Sequence, residues 1–318
     1  DKTTTKWIIA IKEELAAAKI ALVGVAPKPK DSIREQNWQK SLLNSAMYQA
    51  DAVTLHLYNG HGLNSQIDSN STYPFFSSEE VQLILGQPFR SWQKLQNNDQ
   101  LKLIPDNKQI WITEYNLFEN VFGKKNRDKQ QRVMGSWTHG LYALTMSLLF
   151  LEDSRIAIAC NHVLTGNSRF AAILANKGSF INPSDEDFRV KPKSLSATGS
   201  TLSLLGEATS GMIQGQKIDF SPESTLVGKK NFEYPALYGW RFNDGKHSQA
   251  IITNLSNQNI RINLEQIFSA SVSYQQFSAA PQTLITGNEV IKRKSDTVFP
   301  EIMLPAYSVT KLNSLRSF

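Results

Sequence analysis

The chain has 318 residues, 41% apolar and 19% charged, and 34 Lys and Arg against 28 Asp and Glu leave a net charge of +6. That balance excludes long disorder, and the scattered Lys and Arg are not the dense, aromatic-interleaved patch that nucleic acid requires. A single cysteine, Cys160, excludes an intrachain disulfide framework and a Cys-based zinc cluster, and the longest apolar run, residues 141–151, is shorter than the roughly 18 residues that span a bilayer.

Residues 1–5 are polar and lack an initiating Met, so the opening reads as the interior of a longer polypeptide or a processed product. Residues 6–19 place Trp7, Ile8, Ile11, Leu15 and Ala18 at helical spacing. Residues 20–26 form a continuous apolar run closed by Pro27, the pattern of a buried parallel strand. Residues 31–49 return to helix, with Trp38, Leu42, Ala46 and Met47 on one face. A second strand, 51–58, runs into the turn Asn59-Gly60-His61-Gly62. Loop and helix carry the chain to residue 100, with Tyr73, Phe75, Phe76 and Trp92 as candidate stacking rings. The third strand, 109–116, ends in polar residues. A helix over 128–151 leads to a fourth strand, 156–160, where Cys160 reads as a buried small residue. A last helix over 194–205 closes at Gly206 or Gly211.

Strands alternating with helices predict a parallel sheet with right-handed crossovers, in four strand–helix units. After residue 212 the segments 213–220, 236–242, 248–254, 260–264, 272–277 and 308–312 are short and separated by turns such as Asn243-Asp244-Gly245. That is the rhythm of an antiparallel sandwich. The boundary falls near 206–212, dividing an α/β part, residues 1–208, from an all-β part, residues 209–318.

The chemistry concentrates in Trp111-Ile112-Thr113-Glu114-Tyr115-Asn116. A carboxylate ending a buried strand is costly unless it is paired. At that place a Glu serves as a salt-bridged strand end, or as a nucleophile or general acid/base. On the preceding strand, His56 and Tyr58 are two apart and project to the same side. A donor from either would favour the ionised form of a nearby Glu.

The segment Ile112-Thr113-Glu114-Tyr115-Asn116 resembles the seventh-strand nucleophile motif of clan A retaining glycoside hydrolases, closest to the arabinofuranosidase, β-xylosidase and endo-glycanase families. The resemblance implies a (β/α)8 barrel with Glu114 as the nucleophile. It also implies sugar contacts at His56, Tyr58, Tyr115 and Asn116, with the second strand standing for the sixth of the barrel. Asn161 and His162, after the strand that stands for the eighth, match a further sugar-contacting position. Residues 303–310 resemble the final sandwich strand of such enzymes, and Ser210-Gly211-Met212 sits at a similar junction. Trp137 and Trp111 read as core.

One departure is large. In this family the acid/base Glu follows an Asn at the end of strand four, whereas the Asn-Glu pair here, Asn288-Glu289, lies far downstream in sandwich-like sequence. A closed barrel takes about 250 residues, and four strands are counted. The expected architecture is therefore the C-terminal half of the barrel, strands 5–8, followed by the β-sandwich. The acid/base would come from an N-terminal half, on the same or a separate chain. The other reading is a non-catalytic carbohydrate-binding or scaffolding protein derived from such an enzyme.

The five histidines, His56, His61, His139, His162 and His247, lack metal-ligand spacing, and no phosphate loop or nucleophile elbow is present. No metal, cofactor, nucleic acid or membrane is expected, and the partner is carbohydrate. Arabinofuranosides, xylosides and algal galactans all fit. Polymer substrates place the expected location outside the cell or in the periplasm. Asn70-Ser71-Thr72 and Asn254-Leu255-Ser256 match glycosylation acceptors, a pattern frequent by chance.

Overall fold

The computed structural model describes residues 2–24, 33–42, 46–59, 77–97, 99–102, 104–117, 132–166, 171–174, 194–221, 224–287 and 290–314. Gly60, His61, Gly62, the glycosylation match at 70–72, Tyr73, Phe75, Phe76 and Asn288-Glu289 lie outside the described residues. The chain forms two compact units. The first comprises Asp1–Tyr58, Arg90–Asn116 and Phe150–His162; the second comprises Asn59–Phe89, Leu117–Leu149 and Val163–Phe318.

The first unit is built on helices α1 (Lys2–Glu14) and α2 (Ile33–Ser41), the end of α3 (Ser78–Gln96) and α4 (Asp99–Lys102). Its strands are β1 (Ala21–Val23), β2 (Ala52–Asn59), β3 (Gln109–Leu117) and β4 (Ile156–Asn161). They form one sheet in the order β1-β2-β3-β4, with β1–β2 and β3–β4 parallel. Val53, Leu55, Ile110 and Ile112 fill its core.

Charged groups tie down the amino ends of the strands. Asp51 accepts the Ile20 amide at 2.9 Å, with Lys12 at 3.1 Å. Burial pushes this carboxyl up, but the Ile20 hydrogen bond and Lys12 outweigh it and hold Asp51 below its ordinary value. Lys108 donates to the Ala50 carbonyl at 2.7 Å and to that of Tyr48 at 3.1 Å. Arg155 pairs with Asp153 at 2.8 Å and donates to the carbonyls of Leu101 and Ile104.

Three expectations are corrected here. Helix α1 begins earlier than its apolar spacing suggested and buries only Ile8, while Trp7, Ile11 and Leu15 stay exposed. The first strand is short because β1 pairs with β2 over three residues, and Val23 is exposed at the sheet's outer edge. Cys160 is exposed, not buried, because β4 is the other outer strand and Ala157–Cys160 are uncovered. Trp38 is half-exposed, and its indole N–H donates to the Val23 carbonyl at 3.0 Å.

In the second unit, α5 (Trp137–Phe150) packs on α6 (Ala197–Thr209). A Cβ on Gly140 would meet the Ala197 carbonyl oxygen at 2.6 Å, so only glycine permits this approach. Ser196 caps α6 by accepting the Gly199 amide, and the helix runs through Gly206 to end before Gly211 at φ +74. Trp137 is core, as expected, and donates to the Tyr307 carbonyl at 2.6 Å.

The remaining strands are β5 (Thr165–Gly166), β6 (Ile173–Leu174), β7 (Gln214–Lys217), β8 (Thr225–Val227), β9 (Glu233–Pro235), β10 (Leu237–Asn243), β11 (Ser248–Asn254), β12 (Ile260–Asn263), β13 (Val272–Ser278), β14 (Lys292–Val298), β15 (Glu301–Leu304) and β16 (Ser308–Ser314). A six-stranded antiparallel sheet, β14-β13-β16-β11-β10-β7, and the pair β12-β15 enclose a core that includes Ile252, Leu264, Phe268, Ile302, Leu304 and Leu312. Strand β14, rich in Lys and Arg, was not legible as a strand. It is an exposed edge, where charge blocks pairing with another chain. Its Arg293 lies 4.6 Å over the Phe277 ring.

Two buried polar groups lock the second unit. Asn254 donates to the carbonyls of Gln258, Leu304 and Pro305 and accepts from Ser256. The glycosylation match at this residue is therefore buried structure. His139 is fully buried and hydrogen-bonds the Met134 carbonyl at 2.7 Å; burial pushes its imidazole down to about 4. Among the described residues no helix is long and apolar enough to cross a membrane.

Two outcomes follow. Asn254→Asp loses the amide donors to three carbonyls and should cost about 3 kcal/mol in urea unfolding. His139 binds its proton near 6.5 when unfolded but about 4 when folded. The unfolded state therefore holds more protons in that window, and stability should rise with pH across it by about 3 kcal/mol. His139→Gln should flatten that rise; an unchanged slope in urea midpoints measured across the window would refute the assignment.

Candidate active site

The carboxyl ends of β2, β3 and β4 carry Tyr58, Glu114 and His162 to one edge of the first unit's sheet. Pairing between β3 and β4 sets the middle member. Ile112 pairs with Ala159 and Tyr115 with Asn161, so β3 spends one residue more than β4 between these pairs. This bulge breaks the period-2 alternation. Ile110 and Ile112 are buried, as is Tyr115, whereas Glu114 is released from that alternation and stays about one-third exposed.

Around the released carboxylate the donors converge. The Tyr58 hydroxyl donates to Glu114 Oε2 at 2.6 Å, a short charge-assisted bond. The same hydroxyl lies 2.9 Å from His162 Nδ1. The two rings meet edge-on, at 86° and 6.1 Å between centroids. His56 Nδ1 is 3.5 Å from the same Oε2, an electrostatic contact when the ring is protonated. Among the described residues no donor reaches Oε1. Burial pushes the Tyr58 phenol up, and the hydrogen bond and charge of Glu114 push it further, well above its ordinary range.

The other expected sugar contacts are placed behind this cluster. Asn116 is fully buried, and its amide donates to the His162 carbonyl. Asn161 donates to the Tyr115 carbonyl at 3.3 Å. The Tyr115 ring is 2% exposed and packs edge-on against Phe150 at 5.1 Å. The structure thus gathers His56, Tyr58 and His162 around Glu114, while Tyr115, Asn116 and Asn161 hold the strand ends. Trp92, a candidate stacking ring, is buried in α3 and donates to Glu152 at 2.8 Å. The bulge has no sequence signal in the alternation of residue types. Among the described residues no group of three His, Cys, Asp or Glu side chains could hold a metal ion.

No family model matches the sequence, and a search of curated proteins finds no match. Solved structures do match. A family 51 α-L-arabinofuranosidase from Bifidobacterium longum aligns with a TM-score of 0.71 at 13% identity, over 98% of this chain and 61% of its own. The GH51 arabinofuranosidase from Xanthomonas axonopodis pv. citri aligns at 0.64 and 14% identity, over 97% and 62%. A 4-O-α-L-rhamnosyl-β-D-glucuronidase from Fusarium oxysporum 12S aligns at 0.61 and 12%, over 98% and 64%. At these identities the likeness is one of fold. The chain spans less than two thirds of the length of each of these enzymes.

The ionisation of Tyr58 offers a direct check on this geometry. Alkaline absorbance titration of the nine tyrosines should show the same amplitude at about pH 10 in Tyr58→Phe as in the parent chain. An amplitude smaller by one phenol would mean that Tyr58 ionises normally and is not held by Glu114.

Proposed function

We propose that the chain is the C-terminal part of a retaining glycoside hydrolase. It supplies the nucleophile, Glu114, on strands 5–8 of a (β/α)8 barrel, residues 1–208, followed by a β-sandwich, residues 209–318. One observation carries this reading. A carboxylate hydrogen-bonded by Tyr58 stands at the carboxyl ends of parallel strands, where barrel enzymes place their chemistry. The fold likeness to glycoside hydrolases over 97–98% of the chain supports it.

In this reading Glu114 attacks the anomeric carbon and forms a glycosyl ester, while the leaving oxygen takes a proton from an acid/base carboxyl outside the chain. Water, activated by that second carboxyl, then releases the sugar and returns Glu114 to a carboxylate. The two carboxyls stand about 5–5.5 Å apart in retaining enzymes. Oε2 is held by Tyr58, which leaves Oε1 for the new bond. His56, Tyr58 and His162 face the sugar side of the site; Tyr115, Asn116 and Asn161 position the strand ends.

The missing acid/base belongs to an N-terminal half of the barrel. The exposed apolar groups of the first unit support this, since Trp7, Leu15, Val23 and Ile158 are side chains that a covering α/β segment would bury. The shortfall in length against the aligned enzymes supports it too. The substrate is a glycoside, and the residues present do not choose among arabinofuranosides, xylosides and galactans.

The test uses the longer protein. Glu114→Gln should lower kcat on the order of 1,000-fold or more while oligosaccharide binding persists. Glu114→Ala with azide should yield a glycosyl azide of configuration opposite to the substrate. Undiminished turnover in Glu114→Gln would overturn the assignment. Binding without turnover in the parent protein would favour the carbohydrate-binding reading.

A further inference from the structure

The Tyr58 hydroxyl has one proton, and both Glu114 Oε2 at 2.6 Å and His162 Nδ1 at 2.9 Å lie within hydrogen-bond distance of it. An ionised carboxylate accepts only, so the Tyr58 proton points at Glu114. A hydrogen bond to His162 then requires the proton of that bond to sit on Nδ1. We propose that His162 is a positioning residue: its Nδ1 proton, donated to Tyr58, commits the Tyr58 proton to Glu114. The inference rests on the reading of Glu114 as nucleophile for its functional meaning, but not for its geometry.

The alternative tautomer shows what is at stake. With the proton on Nε2, the Nδ1 lone pair competes for the Tyr58 hydroxyl, and the two acceptors share one donor. Glu114 Oε2 would then lose its hydrogen bond whenever the hydroxyl turned. The backbone holds His162 where it prevents this. Its N–H donates to the Tyr115 carbonyl at 3.1 Å, and its own carbonyl accepts the buried Asn116 amide. Asn116 and Glu114 lie on one strand, so the motif that carries the carboxylate also anchors the residue that orients its donor. The order of donation is His162 to Tyr58 to Glu114, and polarisation along such a chain strengthens the last bond. Among the described residues His56 also faces the relay, with its Nδ1 3.5 Å from the same Glu114 oxygen.

The tautomer is readable by long-range proton–nitrogen NMR of the 318-residue chain at about pH 9, where histidines are neutral. The expected spectrum has His162 as the Nδ1–H form. That is the minor form of an unconstrained neutral imidazole. Tyr58→Phe and Glu114→Ala remove different members of the relay, and each should return His162 to the Nε2–H form. An Nε2–H form in the parent chain overturns the proposal without any variant, as does an Nδ1–H form that survives either substitution.

The functional arm uses the longer protein. His162→Phe should lower kcat by about 10-fold with KM little changed, and His162→Asn, which keeps a donor near the Nδ1 position, should restore most of it. Equal losses in the two variants would mean packing alone. Absence of turnover in the parent protein would overturn the glycosidase reading and leave the tautomer result to decide the relay.

Discussion

Parallel pairing puts the carboxyl ends of neighbouring strands at one edge of a sheet, and the candidate site depends on that constraint. Glu114 and His162 lie 56 and 104 residues from Tyr58 in sequence. No local structure could bring them together. The register does, by stacking the ends of β2, β3 and β4, and the bulge in β3 then aims the middle side chain. Loss of one residue of register would send Glu114 back toward the face of Ile110 and Ile112. A carboxylate there would be desolvated without a donor, so the same pairing that builds the sheet keeps this group within reach of Tyr58.

The two ends of this sheet treat charge differently. At the amino ends, Asp51, Lys108 and Arg155 spend their hydrogen-bonding capacity on backbone groups and on opposite charges. These are staples, and Arg155 with Asp153 satisfies both charges internally. At the carboxyl ends, Glu114 has one oxygen engaged and the other without a described donor. Glu114 stays about one-third exposed, so the oxygen that Tyr58 does not hold is open to solvent, whereas the amino-end charges are spent within the fold.

Much of this was legible in the sequence for definite reasons. Strands β2, β3 and β4 showed as apolar runs, and the spacing of His56 and Tyr58 put both on the side that meets Glu114. The sandwich strands β10, β11, β13 and β16 showed through alternation and turns. What was hidden lacked a periodic apolar signal. Strand β14 is charged because it is an edge, the bulge is a property of pairing between two strands, and Tyr115, expected against the sugar, packs on Phe150 instead. Helix α1 was legible as a helix, but its stripe of Trp7, Ile11 and Leu15 gave no warning that its apolar face would find no cover in the described residues.

That uncovered face bears on how the site would be completed. A helix of 13 residues that buries one side chain gains little from its own unit, since each large apolar group left exposed forgoes about 1.5–3 kcal/mol of burial. The outer strands add Val23 on one side and Ile158 on the other, both exposed. Under the proposed reading, a segment that covered these groups would also have to place the acid/base carboxyl across from Oε1 of Glu114. Burial energy and catalytic geometry would then come from one docking event. Under that reading the exposed groups at both outer strands mark where the added segment would gain burial, and the free side of Glu114 marks where its carboxyl would stand.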